Sequence, residues 1–542
     1  MNKFIKYIEP HLIWIFPVLA FIFHWPTRKA GFIHDFTGWY ERYQLYDIGG
    51  LWHCFGYHRL QHVMHAIQFG MFKLFDTAPL PWHLLYTACF GFVAWLTYKF
   101  SEQILAFTGK PDKMAAFIIS ILFFIHPFHV NPIAWKVCLH YILATGAVLI
   151  LFIHIFKWLD QPNRNTAIYA GLSFLTGMYI HEMVAAGLVM SFFLLGILFF
   201  YRKNIWRRFG LFVLLPQVVV MIFYFGTRSF VLIDTDREDI VTQHNFKFDK
   251  EIRTVYQYMG KHVLLSRFWP GKTKHNFNQS IKKPIILYGL LAVSTLLILF
   301  FYIYYKKLPG DIRAVGLSLL LAGAAIAPFT SLYFSYQHLG ENDRYGMLFS
   351  VFMITALVLL LKHIPYKIGY ILLLVYAIFS IIFSKKMINY WQTAGNITNG
   401  LLEDFRWYDK DKVYVLASPE NFKGIFMFNS FDQSMLDDHL LVKNGSYPEC
   451  EIIDVLQVNV SYETDGVTVK VHNPDSLTVQ INRWGPWYWR HGLGAASYET
   501  DAFTVDISSR NYHFKRKIRE PNTAYIYMNG TKWEEVDWGV EK

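Results

Sequence analysis

Along the first 385 residues, apolar runs about as long as a helix needs to cross a hydrocarbon core, roughly 20 residues, alternate with short polar breaks. Eleven such runs are readable, near 11–25, 82–100, 114–130, 132–156, 166–181, 183–201, 209–227, 284–305, 314–332, 345–361 and 367–384. Each predicts a membrane-spanning helix. The first has no small-residue cleavage site after it and reads as a retained span, not a signal peptide. Between the first two runs, His62, Val63, Ala66, Ile67, Gly70, Met71 and Leu74 recur at helical spacing and predict an amphipathic helix on the bilayer surface. After residue 385 the pattern changes. A helix is expected over 386–405, followed by short alternating runs bounded by turn residues, at 412–416, 424–428, 467–471, 477–481, 504–507 and 524–528. The expected architecture is a polytopic α-helical membrane domain over 1–385, a surface helix linker over 386–405 and a β-rich soluble domain over 406–542.

The polar breaks fall into two sets. One carries Lys3, Lys6, Lys99, Lys110, Lys113, Lys157, Arg164, Arg202, Lys203, Arg207, Arg208, Lys306, Lys307, Arg313, Lys362 and Lys367. Short loops this basic mark the cytoplasmic side, which puts the amino terminus inside. The other set includes two long segments, about 26–81 and 228–283. With an odd number of spans, the tail after 385 lies on the outer side with them, and a bacterial inner membrane is the expected setting. Composition agrees: 54% of residues are hydrophobic and 17% charged, against roughly 25% charged in a soluble chain. The net charge of +11 is largely accounted for by the inner loops, so nucleic acid is not needed to explain it. Four cysteines, Cys54, Cys89, Cys138 and Cys450, form no disulfide or zinc spacing.

Ionisable residues near membrane depth are costly and mark function. Five clusters stand out: His34-Asp35, His126 to Asn131, His181-Glu182, Arg228 and Asp343-Arg344. By the charge-derived topology all five lie outside, and polar decoration without a common purpose would scatter over both sides. Each also has a structural reading, as a loop carboxylate, a helix stop, a hairpin tip or a snorkelling anchor.

Tyr57-His58-Arg59-Leu60 with Pro79-Leu80-Pro81-Trp82-His83-Leu84, then His126-Pro127-Phe128-His129-Val130-Asn131-Pro132-Ile133-Ala134-Trp135, Tyr179-Ile180-His181-Glu182 and Asp343-Arg344-Tyr345 follow one another in order. This series resembles the motifs of the TMTC-type, protein O-mannosyltransferase-like membrane glycosyltransferases, across the whole membrane part. Asn131 and His181 depart from that pattern, where the family has Glu and Lys, and no tetratricopeptide repeats follow. The resemblance implies a GT-C fold and an enzyme that moves a sugar from a polyprenyl-phosphate carrier to an acceptor on the outer face, a protein hydroxyl or an envelope glycan. It also implies that Asp35 holds the position of the catalytic carboxylate, the general base for an inverting displacement. Arginine suits the departing phosphate through its planar, permanently charged fork; Arg344 is the first choice, with Arg228, Arg59 and His126 as further phosphate contacts and Lys136 as a helper. Glu182 is expected to orient an arginine or the acceptor, with His34, His181 and Asp343 as secondary groups.

No metal site is expected. His34 and not a second acid stands beside Asp35, so metal-independent chemistry is favoured over a divalent ion. Asp234 and Asp236 form a weak D-x-D pattern in a segment otherwise read as a lid with an interfacial helix around Ile252, Val255, Tyr256, Met259, Val263 and Leu264, with His262, Arg267 and Lys274 expected to face the carrier headgroup and Trp269-Pro270-Gly271 to close it. The run from Trp484 to Arg490 is open to sugar contact, core packing or membrane docking. Rival readings are an oligosaccharide ligase using a diphosphate carrier, and a transporter or scaffold without activity. A transporter is expected to show inverted repeats and helices broken at the midplane, and neither is visible.

Overall fold

The computed structural model describes all residues except 1, 34, 46, 50, 52–59, 110, 203, 232–246, 331–340, 429–434, 491–492 and 540–542. The first 404 residues are helical and the remainder is mainly β-structure. Among the described residues, eight helices are long and apolar enough to cross a membrane: Ile5–Phe23, Leu139–Asp160, Glu182–Tyr201, Trp206–Thr227, Pro284–Lys307, Gly310–Phe329, Asp343–Lys362 and Lys367–Asp404. The remaining three expected spans are also helices, of another kind. Pro79–Thr108 is 30 residues long but carries polar positions on its buried side, and Arg164–Met178 has 15 residues. Lys113–Phe124 is followed, after a bend of 51°, by Pro127–Ala134. Pro127 causes the break, because it has no N–H to continue the ladder. Among the described residues the structure thus supports eight spans, or nine if the bent pair counts as one, and does not confirm the expected eleven.

Local chemistry sets the helix ends. Asp112 caps Lys113–Phe124 by accepting from the backbone N–H groups of Met114 and Ala115, each at 3.0 Å. Asn163 caps Arg164–Met178 through the Thr166 N–H at 2.9 Å. The helix Met347–Lys362 begins beside Arg344 and ends at Lys362, which pairs with Asp112 at 2.8 Å and Asp311 at 3.1 Å. Near Asp112, Lys99 and Lys113 both bind Glu9. Basic loops thus gather at one end of the bundle. The helix that starts at Lys113 ends at Phe124, two residues before His126, at the other end, where the expected site residues lie.

The last span and the expected surface linker are one helix of 39 residues, Tyr366–Asp404, with no break near 385. Its distal half buries one face, with Met387, Trp391, Ala394, Ile397 and Leu401, and exposes the other, with Lys386, Asn389, Gln392, Asn396 and Glu403. It ends in the β-region. There β1 (Lys412–Phe422) is central: its first half pairs in parallel with β12 (Thr523–Asn529) and β3 (Glu451–Asp454). Its second half pairs with β4 (Gln457–Val460) in parallel and β2 (Ile425–Phe426) antiparallel. The sheet is completed by β7 (Tyr488–Arg490), β8 (Leu493–Gly494) and β13 (Lys532–Glu535). A second, antiparallel sheet holds β5 (Val467–Asn473), β6 (Ser476–Ile481), β9 (Tyr498–Glu499), β10 (Phe503–Ser508) and β11 (Asn511–Arg516). Each of the six alternating runs of the sequence contains a strand, although in 424–428 only Ile425–Phe426 is one. The parallel pairing and the helix Leu436–Asn444 were not foreseen, since β1 is buried nearly end to end and shows no period of two.

Candidate functional site

Trp135 organises the site. Gly31, at φ +86°, carries the chain after the first span so close to Ala134 that a Cβ would lie 1.8 Å from the Ala134 carbonyl oxygen. The Lys136 N–H then donates to the Gly31 carbonyl at 3.0 Å, and the Trp135 indole donates to the Ile33 carbonyl at 3.2 Å. Ile33 is two residues before Asp35, which opens the helix Asp35–Leu45. On the other side of Trp135 lies Arg344, its guanidinium carbon 4.6 Å from the indole centre, 5.0 Å from the Tyr345 ring and 5.6 Å from the Tyr141 ring. Tyr141 in turn meets His181, at 4.9 Å between ring centres, and His181 stacks on His140 at 4.8 Å. Two clusters far apart in sequence, Asp343-Arg344 and His181-Glu182, are thereby linked through the rings of Trp135 and Tyr141 to the backbone just before Asp35. A planar cation over π faces is what Arg provides and Lys does not.

Asp343 is the hub beside Arg344. It is fully buried, and its carboxylate is held by Lys261 on one oxygen at 2.5 Å and by Arg267 on the other. Burying the ions is tolerable because each is paired. Lys261 also lies over the Phe128 ring at 5.3 Å. Next to it, His262 stacks on His126 with ring centres 5.6 Å apart and planes 5° from parallel, and His126 Nε2 is 2.9 Å from the His262 carbonyl oxygen. Gly346 makes room for this: a Cβ there would be 1.9 Å from His262 Nε2. His129 is held between the Phe123 carbonyl and the Ser350 hydroxyl, both at 2.8 Å. Neither ring nitrogen of His262 meets a hydrogen-bond partner among the described residues.

The helix Phe248–Leu264, which brings Lys261 and His262, is amphipathic in the reverse of the soluble sense. Glu251, Thr254, Gln257, Tyr258, Lys261 and His262 face the protein, while Ile252, Val255, Tyr256, Met259 and Val263 are half-buried and Leu264 is exposed. An apolar environment reverses the sorting, so that the polar stripe goes inward where partners exist. The expected amphipathic helix is present, and the polar stripe, spaced by three and four, was the signal for Lys261.

The remaining expected residues are placed as follows. Lys136 is fully buried, donates to the Ile133 carbonyl at 3.2 Å and lies 5.2 Å from the Tyr86 ring centre. Glu182 is half-buried at the start of the turn Glu182–Ala185, where the His181 imidazole accepts from the Met183 N–H at 3.0 Å. Arg228 sits near the end of the helix Leu215–Val231, one turn beyond Tyr224, which touches Tyr179. The side chains of Asp35 and Arg228 lie outside the described residues, as do His34, Arg59 and the Asp234–Asp236 run.

The β-region covers this site. Phe426 of β2 meets Trp135 edge-on at 6.0 Å, Trp391 of the long helix lies 6.5 Å from the same ring, and Arg267 reaches the Lys423 carbonyl at 3.5 Å. Sequence reading offered the Trp484–Arg490 run for sugar contact but did not point to Phe426 or Trp391 at this site, because the contacts join positions separated by hundreds of residues.

No family model and no curated protein matches the chain. The site therefore stands on its geometry: a buried carboxylate held by two cations, an arginine walled by aromatic rings, and stacked histidines, at one end of a bundle of apolar helices.

Proposed function

We propose that the chain is a membrane glycosyltransferase of the GT-C type that moves a sugar from a polyprenyl-phosphate carrier to a hydroxyl acceptor at the end of the bundle away from the basic loops. The observation that supports this most directly is the meeting of Arg344, Asp343, Lys261 and Arg267 from two remote segments beside Trp135, next to the backbone that leads into Asp35. Cations fixed in a desolvated setting favour charge that develops on a departing phosphate, and need no reorganisation when it forms. In this reading Arg344 meets the carrier phosphate, and Asp343 positions Lys261 and Arg267. Asp35 takes the acceptor proton as its oxygen attacks the anomeric carbon and the carbon–phosphate oxygen bond breaks. Exposed apolar side chains on Pro284–Tyr304, such as Ile285, Leu296 and Ile303, give the prenyl chain a surface to lie along.

The test is comparative mass spectrometry of envelope proteins and lipid glycans from cells with and without the chain, with Asp35→Asn as the control. A glycan lost in both the deletion and Asp35→Asn, with the variant present at normal level, is the expected result. An unchanged glycan profile in the deletion removes the proposal, and wild-type activity in Asp35→Asn removes the role of Asp35.

A further inference from the structure

The β-region contains a cleft of about 550 Å³, inside the range of roughly 300–1,000 Å³ typical of small-molecule sites. It lies between β3, the start of β4 and β7 on one side and the β9–β10 turn on the other, with Asp437 at its edge. Its walls have a particular chemistry. Trp489, half-buried on β7, offers indole surface, while the guanidinium of Arg490 is stacked over Tyr498 at 3.3 Å from the ring centre. Asp437, Glu451, Asp454 and Asp501 line it together with only two cations, Lys412 and Arg490. Lys412 is engaged by Glu520 at 2.7 Å and by Glu451 at 3.5 Å.

A buried amide adds an independent observation. Gln457 is 5% exposed and lines the cleft; its Nε2 donates to the Phe428 carbonyl at 2.5 Å, while its Oε1 meets no hydrogen-bond donor among the described residues. A buried acceptor left without a donor costs on the order of 1–3 kcal/mol, which a hydroxyl-bearing ligand relieves.

We propose that this cleft binds a neutral saccharide, with the Trp489 indole against the apolar face of a sugar ring and Asp454, Asp501 and Gln457 accepting from its hydroxyls. Carboxylates accept hydrogen bonds in pairs and suit vicinal hydroxyls, and an aromatic face suits the C–H side of a pyranose. The excess of carboxylates disfavours phosphate or an acidic sugar. The site is separate from the one around Trp135 and does not depend on transfer activity.

The experiment is saturation-transfer NMR on the full-length protein in a sugar-free zwitterionic detergent, with mannobiose and diacetylchitobiose as neutral probes, digalacturonic acid as the acidic probe and trilysine as the basic peptide. Saturable binding of a neutral disaccharide, weakened at least ~10-fold in Trp489→Ala and retained in Asp35→Asn, supports the proposal. Asp501→Asn alters an exposed carboxylate and gives a second reading should Trp489→Ala fail to fold; it too is expected to weaken binding. Binding of trilysine or digalacturonic acid in preference, saccharide binding untouched by both cleft variants, or no saccharide binding overturns it. Failure here leaves the glycan profile of the Asp35→Asn test unaffected, so the two readings fall separately.

Discussion

Asp343 and Arg344 are neighbours in sequence with opposite duties. Asp343 is fully buried between two cations, so replacing it with Ala removes the carboxylate that Lys261 and Arg267 share. The expected cost is about 3–5 kcal/mol, read as a fall in the thermal midpoint of the detergent-solubilised protein; an unchanged midpoint contradicts the hub. Arg344 is held by ring faces, so Arg344→Lys keeps the charge and loses the fit. It is expected to leave the thermal midpoint nearly unchanged while lowering transfer by ~10²-fold, measured with a polyprenyl-phosphate sugar in liposomes. Gly31 is a third critical position. Gly31→Ala drives a methyl into the Ala134 carbonyl at a φ that L residues rarely adopt, and parting the 31–35 segment from Trp135 is expected to abolish activity whether or not the chain remains folded. Asp343 and Arg344 were visible in the sequence as charges beside an apolar run. Which of the two is locked in an ion network was not, because Lys261 and Arg267 come from about 80 residues away.

At the scale of elements, the helix Asp35–Leu45 is pressed against the helix Leu436–Asn444 of the β-region. Burial, with added repulsion from Asp438 and Glu41, pushes the Asp437 carboxyl up to about 7; burial and Glu41 push Asp438 up to about 6. The folded state then keeps protons that an unfolded chain, with carboxyls near 4, has released. Stability from this contact is greatest below about pH 4 and falls as pH rises towards 7. Asp437→Asn removes one such charge and is expected to raise stability at pH 8 relative to pH 5, measured by hydrogen exchange across 436–444; a pH-independent difference refutes the linkage. Helix existence was largely legible from the apolar runs, and strand existence from the alternating ones. What the linear pattern missed was orientation. The Phe248–Leu264 helix turns its polar stripe inward, and the long last helix carries its register past residue 385 into the β-region, because burial partners and not local propensity decide those faces.

For the whole molecule, the basic loops gather at one end and the site at the other. Cysteine labelling with a membrane-impermeant maleimide checks which end faces outward: Trp484→Cys, 84% exposed, is expected to react in intact cells, and Lys307→Cys only after permeabilisation. The reverse pattern inverts the orientation.

Taken alone, the sequence determined that most of the chain is apolar helix, where the charges fall along it, and that a β-rich segment follows, because hydrophobic period and loop charge are local properties. Only the tertiary structure decided that eight of the eleven apolar runs meet the length and apolarity of a span. It also decided that Pro127 bends another run into the protein, and that β2 and the last helix close over Trp135. The closure over Trp135 depends on contacts between segments hundreds of residues apart, and no local pattern encodes it.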